Sequence, residues 1–211
     1  VYWTINNILS IAQQYILLKR QAKKNNKKSM YGQFRFIKEV FELEKLPPQD
    51  LPEFVFWGRS NVGKSSLINS LTNSNLAKTS KTPGRTRSLV FFESEKKSRI
   101  VDFPGYGYSK IPKINKFKID NLIEYYLNNR KSIKFLFLLI DSRHGFKDID
   151  KIILSQVSVT LQNKVIIIFT KIDKLKTKHD KEELLKLNKQ VEKEFNKTFF
   201  TEGYQNLCEK I

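Results

Sequence analysis

The stretch Phe54-Val55-Phe56-Trp57-Gly58-Arg59-Ser60-Asn61-Val62-Gly63-Lys64-Ser65 decides how the rest of this chain is read. Its four leading apolar residues predict a buried strand, and the Gly-x-x-x-x-Gly-Lys-Ser run after them matches a phosphate-binding loop that opens a helix. A strand before and a helix after separate such a loop from an idle glycine turn. The glycines let the backbone curl so that successive N–H groups face phosphate oxygens, with the positive helix end behind them. Gly58, Arg59, Ser60, Asn61, Val62, Gly63, Lys64, Ser65 and Ser66 form the expected phosphate-binding set. Lys64 adds a point charge across the β- and γ-phosphates, and the Ser65 hydroxyl suits Mg²⁺.

Outward from this loop the chain alternates apolar runs with helical periodicity, the pattern of parallel β-α units. Further strands are expected at Arg99-Ile100-Val101, Phe135 to Ile140 and Val165 to Phe169. Leu89-Val90-Phe91-Phe92 is expected to pair antiparallel with the run around Ile100, through a short polar turn from Ser94 to Ser98, as an edge hairpin. Ile119, Leu122, Ile123, Tyr126 and Leu127 make one helical stripe, Ile149, Ile152, Ile153 and Val157 another, and Leu184, Leu187, Val191 and Phe195 a third. The fold class is α/β in three layers: a mainly parallel sheet with one antiparallel edge strand and helices on both faces. Ligands of such folds bind at the carboxyl ends of the strands, where the motifs fall.

Asp102-Phe103-Pro104-Gly105 ends the strand around Ile100 and fits Asp-x-x-Gly, in which the carboxylate supports Mg²⁺ and the Gly N–H senses a γ-phosphate. Alone it also reads as a plain turn; its place on the core strand after the P-loop favours the functional reading. Thr170-Lys171-Ile172-Asp173 follows the fourth core strand, Val165 to Phe169. The Asp173 carboxylate can accept two hydrogen bonds, from the N1–H and exocyclic amine of guanine, a pair that adenine does not offer. Lys171 is expected to lie along the base through its alkyl stem. Between P-loop and Asp102 runs the polar segment Lys78 to Arg87; Thr86 is the chosen γ-phosphate-dependent Mg²⁺ ligand, with Thr82 second. Such a segment orders around triphosphate and loosens after hydrolysis.

Composition adds a partner class. With 39 Lys and Arg against 21 Asp and Glu in 211 residues, the net charge of +18 attracts polyanions, so nucleic acid or an anionic membrane is implied. A Lys-rich proteome would write its solvated faces the same way. The one cysteine, Cys208, excludes an internal disulfide, and His144 and His179 are too few for a zinc centre. No apolar run approaches the ~20 residues that span a bilayer. Residues 1–18 repeat apolar positions at Ile5, Ile8, Leu9, Ala12, Tyr15 and Ile16, predicting an amphipathic helix. The basic run Lys19 to Lys28 reads as a linker, an RNA-contacting arm or a targeting remnant. Pro47-Pro48 and Pro52 place the start of the folded domain near residue 50.

Gly-Arg-Ser-Asn-Val-Gly-Lys-Ser-Ser from Gly58, Ser-Lys-Thr-Pro-Gly-Arg-Thr from Ser80, Asp-Phe-Pro-Gly-Tyr-Gly-Tyr from Asp102 and Thr-Lys-Ile-Asp from Thr170 together resemble the EngB family of GTPases. Asp141-Ser142-Arg143-His144-Gly145 is similar to theirs as well. The resemblance implies the three-layer P-loop GTPase fold, with an extension at 1–48 and an EngB-type domain at 49–211. It implies GTP hydrolysis in the service of large ribosomal subunit assembly, in bacterial cytoplasm or in a mitochondrion or plastid, with rRNA and the subunit precursor as partners; a monomer is expected, although no residue pattern speaks to oligomeric state. It assigns catalysis to Lys64, Thr86, Asp102 and Gly105, and Mg²⁺ to Ser65, Thr86 and Asp102. Nucleotide contacts extend to Gly84, Arg85, Thr86, Arg87, Ser88, Phe103, Pro104, Thr170, Lys171, Ile172 and Asp173. Asn61 is the expected K⁺ ligand, and Tyr106, standing where Ras-like enzymes carry a water-orienting Gln, implies slow intrinsic turnover. The family's Ser-Ser or Ser-Ala guanine contact is matched poorly by Phe199-Phe200-Thr201-Glu202-Gly203, leaving Phe200 and Thr201 as the expected base contacts.

Two rival readings stand beside this one. A membrane-associated GTP-binding module would use residues 1–18 and the Lys run as its anchor. An adenine-nucleotide kinase would need a phosphoacceptor site, which the sequence does not display.

Overall fold

The computed structural model describes residues 33–77, 88–107, 113–157, 161 and 164–195. The helix expected at 1–18, the basic run 19–28, the switch candidates Thr82, Gly84, Arg85, Thr86 and Arg87, and the base contacts Phe200 and Thr201 lie outside these residues. The strands are β1 (Phe34–Val40), β2 (Glu53–Gly58), β3 (Leu89–Ser94), β4 (Arg99–Asp102), β5 (Ile133–Asp141) and β6 (Val165–Thr170). The helices are α1 (Lys64–Thr72), α2 (Lys113–Asn129), α3 (Asp148–Gln156) and α4 (Lys178–Phe195).

Among the described residues six strands form one sheet, in the order β1-β3-β4-β2-β5-β6. β4, β2, β5 and β6 run parallel, and β3 is antiparallel to both β4 and β1. The period of two in each strand divides the core between the faces. Val55, Trp57, Leu136, Leu138, Ile140, Val165, Ile167 and Phe169 join α2, α3 and α4 in one cluster. Phe54, Phe56, Phe137, Leu139 and Ile166 join Leu67, Ile68 and Leu71 of α1 in the other. Both faces are thereby covered, which explains why the central strands read as continuous apolar runs. Among the described residues no helix is long and apolar enough to cross a membrane.

Two expectations are corrected. A boundary at residues 48/49 would leave Phe34–Val40 outside the domain, yet this segment is the outer strand of the sheet, paired from Phe34↔Ser94 to Val40↔Leu89. The β3–β4 hairpin therefore lies one strand in from the edge. In α3 the buried face is Asp150, Ile153 and Leu154, with Val157 just beyond, while Ile152 is 51% exposed.

At the end of the sheet opposite Gly58, Glu53 is fully buried and accepts from Arg130 Nε (2.8 Å), Arg130 Nη2 (2.6 Å), Ser132 Oγ (2.9 Å) and the Tyr126 hydroxyl. Burial and the Glu53 carboxylate push the Tyr126 phenol far up, so it stays a donor. Glu53→Ala would strand the Arg130 guanidinium, and removing one partner of a buried pair costs about 3–5 kcal/mol. We expect urea unfolding to show a loss of that size; a change under ~1 kcal/mol would contradict the role given to Glu53.

Candidate nucleotide-binding site

Parallel pairing brings the carboxyl ends of β2, β4, β5 and β6 to one edge, with Phe56 opposite Asp102, Gly58 opposite Leu139 and Asp141 opposite Thr170. The loop after β2 turns through Asn61 (φ 63°) and Gly63 (φ 106°), left-handed values that Gly and Asn tolerate best. At Gly58 a Cβ would sit 2.8 Å from the Leu139 carbonyl, so this position admits only glycine without a shift. Among the described residues no side chain caps α1, and its first turn carries no acidic residue, which suits the opening N–H groups of the helix to an anion.

The loop after β4 lies against this one. Ser60 N–H donates to the Tyr106 carbonyl (3.2 Å) and Tyr106 N–H to the Gly58 carbonyl (3.3 Å), extending the β2–β4 pairing past the strand ends. A Cβ on Gly105 would come within 2.9 Å of Ser60 Oγ. Asp102 is buried and ion-paired with the Lys64 ammonium, itself only 8% exposed. Burial pushes the Asp102 carboxyl up while Lys64 opposes it, so the carboxylate here needs a cation beside it.

The loop after β6 closes the third side. Thr170 Oγ1 donates to the Val62 carbonyl (2.6 Å), and Lys171, held at φ 58°, reaches across the P-loop to donate from Nζ to the Asn61 carbonyl (2.5 Å). Lys171 Cε lies 3.9 Å from a Cβ built on Gly63, so its stem runs alongside that glycine. Its ammonium also pairs with Asp141 Oδ2 at 3.0 Å. Burial works to raise the Asp141 carboxyl, but the bonds from Arg143 and Lys171 outweigh it and hold the group well below the usual carboxylate range. Asp173 stands on the 3₁₀ turn Ile172–Lys174, exposed and within 3.5 Å only of Lys174 among the described ion pairs.

Three of the sequence motifs thus meet at one edge: Lys64 and Ser65 open α1, Asp102 and Thr170 end β4 and β6, and Gly105, Lys171 and Asp173 follow those strands. Some expected contacts are redirected. The Arg59 guanidinium turns away to the Gly145 carbonyl (2.7 Å), Phe103 is fully buried, and Pro104 is buried with its carbonyl accepting from Trp57 Nε1 (3.1 Å). These residues can face a nucleotide only through their backbone. Sequence reading missed Asp150, which accepts from the Tyr106 hydroxyl at 2.7 Å. Its signal was the spacing 150, 153, 154, 157, a helical stripe with a carboxylate on the core side.

Among the described residues no three His, Cys, Asp or Glu side chains could by themselves hold a metal ion. The Ser65 hydroxyl and Asp102 carboxylate are hard oxygen donors of the kind Mg²⁺ takes when phosphates complete its shell, and the buried Asp102 already holds a cation in Lys64.

Residues 53–171 match the family described as 50S ribosome-binding GTPase. A relative named "Probable GTP-binding protein EngB" from Mycoplasmopsis synoviae (strain 53) is 50% identical over 161 residues, covering 76% of this chain and 86% of its own. A protein of the same name from Ruthia magnifica is 44% identical, over 77% of this chain and 82% of its own. A solved structure described as a probable GTP-binding protein engB is similar at a TM-score of 0.53 and 26% identity, over 75% of this chain and 85% of that one.

Proposed function

Because this chain belongs to the EngB family of GTP-binding proteins, we propose that it is a GTP-hydrolysing switch acting in assembly of the large ribosomal subunit. The observation that carries the reading is the meeting of three loops at one sheet edge: Lys64 on Asp102, Thr170 on Val62 and Lys171 on Asn61. In hydrolysis a water oxygen bonds to the γ-phosphorus as the bond to the β–γ bridging oxygen breaks, giving GDP and phosphate. The P-loop N–H groups and Lys64 hold the phosphates and meet the charge that gathers on the leaving oxygen. The Gly105 N–H faces the γ-phosphate, Asp173 accepts from the guanine, and the Lys171 stem covers the base. Mg²⁺, held by Ser65 and Asp102, with Thr86 from the switch segment, would neutralise phosphate charge when bound.

Slow intrinsic turnover is supported by Tyr106. Its hydroxyl is committed to Asp150 and, with burial as the first cause, is pushed far above the usual phenol range, so it offers no base to a water. Asn61 is exposed at the loop tip in the left-handed conformation, a position from which its side chain would ligate K⁺. Turnover is expected to be faster in KCl than in NaCl, and an Asn61→Ala protein to lose the difference; equal rates in both salts remove K⁺ from the account.

The ribosomal role is supported by the description of the matched family and by the +18 charge of the chain. That the relatives named above are bacterial supports a bacterial rather than an organellar setting. The test is co-sedimentation with large subunits. Binding is expected with a GTP analogue and not with GDP, falling by about 10³-fold between about 50 and 200 mM salt as phosphate contacts are screened. Nucleotide-independent pelleting with anionic liposomes, lost on removing residues 1–30, would instead establish the membrane reading.

A further inference from the structure

Behind the Asp102–Gly105 loop sits a polar cluster of Asp150, Tyr106 and Arg59. Asp150, in the first turn of α3, is fully buried, a place where a carboxylate persists only if its oxygens are partnered. Oδ1 accepts from the Tyr106 hydroxyl at 2.7 Å and lies 3.4 Å from Arg59 Nε, while Oδ2 accepts from the Lys147 N–H at 2.7 Å. Arg59 completes the ring by donating from Nη2 to the Gly145 carbonyl at 2.7 Å. One carboxylate thus ties together the P-loop, the residue after Gly105 and the loop leading into α3.

The same ring fixes one peptide plane. The Pro104 carbonyl and the Gly105 N–H belong to a single planar trans unit and point in opposite directions. That carbonyl accepts from Trp57 Nε1 at 3.1 Å, and the indole packs edge-on against the Tyr106 ring, with centroids 5.5 Å apart at 84°. On the other side, Tyr106 is held by its N–H on Gly58, its carbonyl on Ser60 and its hydroxyl on Asp150. Gly105 is therefore clamped from both neighbours, and a Cβ built on it would come within 2.9 Å of Ser60 Oγ and 3.0 Å of the Ser60 backbone.

We propose that Asp150, acting through Tyr106 and Arg59, is a positioning residue that fixes the Gly105 N–H for the γ-phosphate and so sets the preference of the site for triphosphate over diphosphate. The proposal rests on the GTPase reading and deepens it. A diphosphate has no group at the Gly105 position, so loosening the clamp weakens triphosphate binding alone. A purely structural role would weaken both nucleotides together or lower stability with no change in their ratio.

The test uses the full chain with Mg²⁺ and compares calorimetric affinities for GDP and a non-hydrolysable GTP analogue. Tyr106→Phe keeps the ring against Trp57 and removes only the hydroxyl. It is expected to leave GDP affinity within about twofold and weaken the analogue by about fivefold to tenfold, a fraction of what one hydrogen bond to a charged acceptor is worth, because the bond acts on the phosphate only through the position of Gly105. Asp150→Asn is expected to weaken the analogue at least as much, and Tyr106→Phe to add little in that background, since the two act as a unit. Equal losses for both nucleotides, an unchanged ratio, or full additivity would overturn the proposal. Failure of the unaltered chain to bind GDP would overturn the guanine reading itself, and the proposal with it.

Discussion

Asp173→Asn is expected to weaken GDP binding by about 10²–10³-fold while leaving thermal stability unchanged. The carboxylate accepts from both N1–H and the exocyclic amine, each a charge-assisted bond worth about 1.5–3 kcal/mol. An amide keeps one acceptor and turns a donor toward the other, so both the charge and the pattern are lost; at 1.4 kcal/mol per decade the deficit gives the stated range. Stability is spared because Asp173 is exposed and its one described ion pair, to Lys174, is on the surface. A base with an oxo group at C2 matches the amide, so xanthosine diphosphate should regain most of the affinity. Titration with GDP, XDP and ADP reads all three; undiminished GDP binding, or ADP binding equal to GDP in the unaltered chain, would remove guanine from the account.

Lys64→Ala is expected to lower kcat/KM for GTP by at least about 10²-fold, the usual cost of losing one preorganised charge donor at a reacting phosphate. Stability should fall as well, because Asp102 is buried and loses its paired ammonium. The pH dependence of that second effect has a defined sign. Burial already raises the Asp102 carboxyl against the pull of Lys64, and without Lys64 nothing described opposes it. The folded variant then keeps a proton that the unfolded chain has released, so its stability is highest below the unfolded value near ~4 and is lost as pH rises through the folded value. Denaturation at pH 5 and pH 8 should show the Lys64→Ala deficit shrinking at the lower pH. A variant with turnover within tenfold of the original would contradict the role given to Lys64.

The central strands were legible because both of their faces are buried, which writes them as unbroken apolar runs such as Leu136-Phe137-Leu138-Leu139-Ile140. β1 was not. Phe34-Arg35-Phe36-Ile37-Lys38-Glu39-Val40 buries only its two end residues, carries a register shift between Phe36 and Lys38, and shows charges that protect a sheet edge. Pro47-Pro48 read as a boundary, yet the Pro48 carbonyl accepts from Arg99 Nη1 (2.8 Å), which ties this segment to β4. At the site, the P-loop was visible because its backbone needs glycines at fixed places, and Asp102 and Thr170–Asp173 because their side-chain chemistry recurs at the ends of successive strands. Asp150 was hidden because the apolar count favoured Ile149 and Ile152 for the buried stripe, while the requirement for a carboxylate came from Tyr106 and Arg59, distant in the sequence.

Crystals grown with Mg²⁺ and a non-hydrolysable GTP analogue test the central claim most directly. The phosphates are expected on the backbone of residues 61–66 with Lys64 Nζ moved from Asp102 onto their oxygens, the Gly105 N–H on the γ-phosphate and the Asp173 carboxylate on the guanine. A nucleotide bound away from these loops, or with its base out of reach of Asp173, would contradict it.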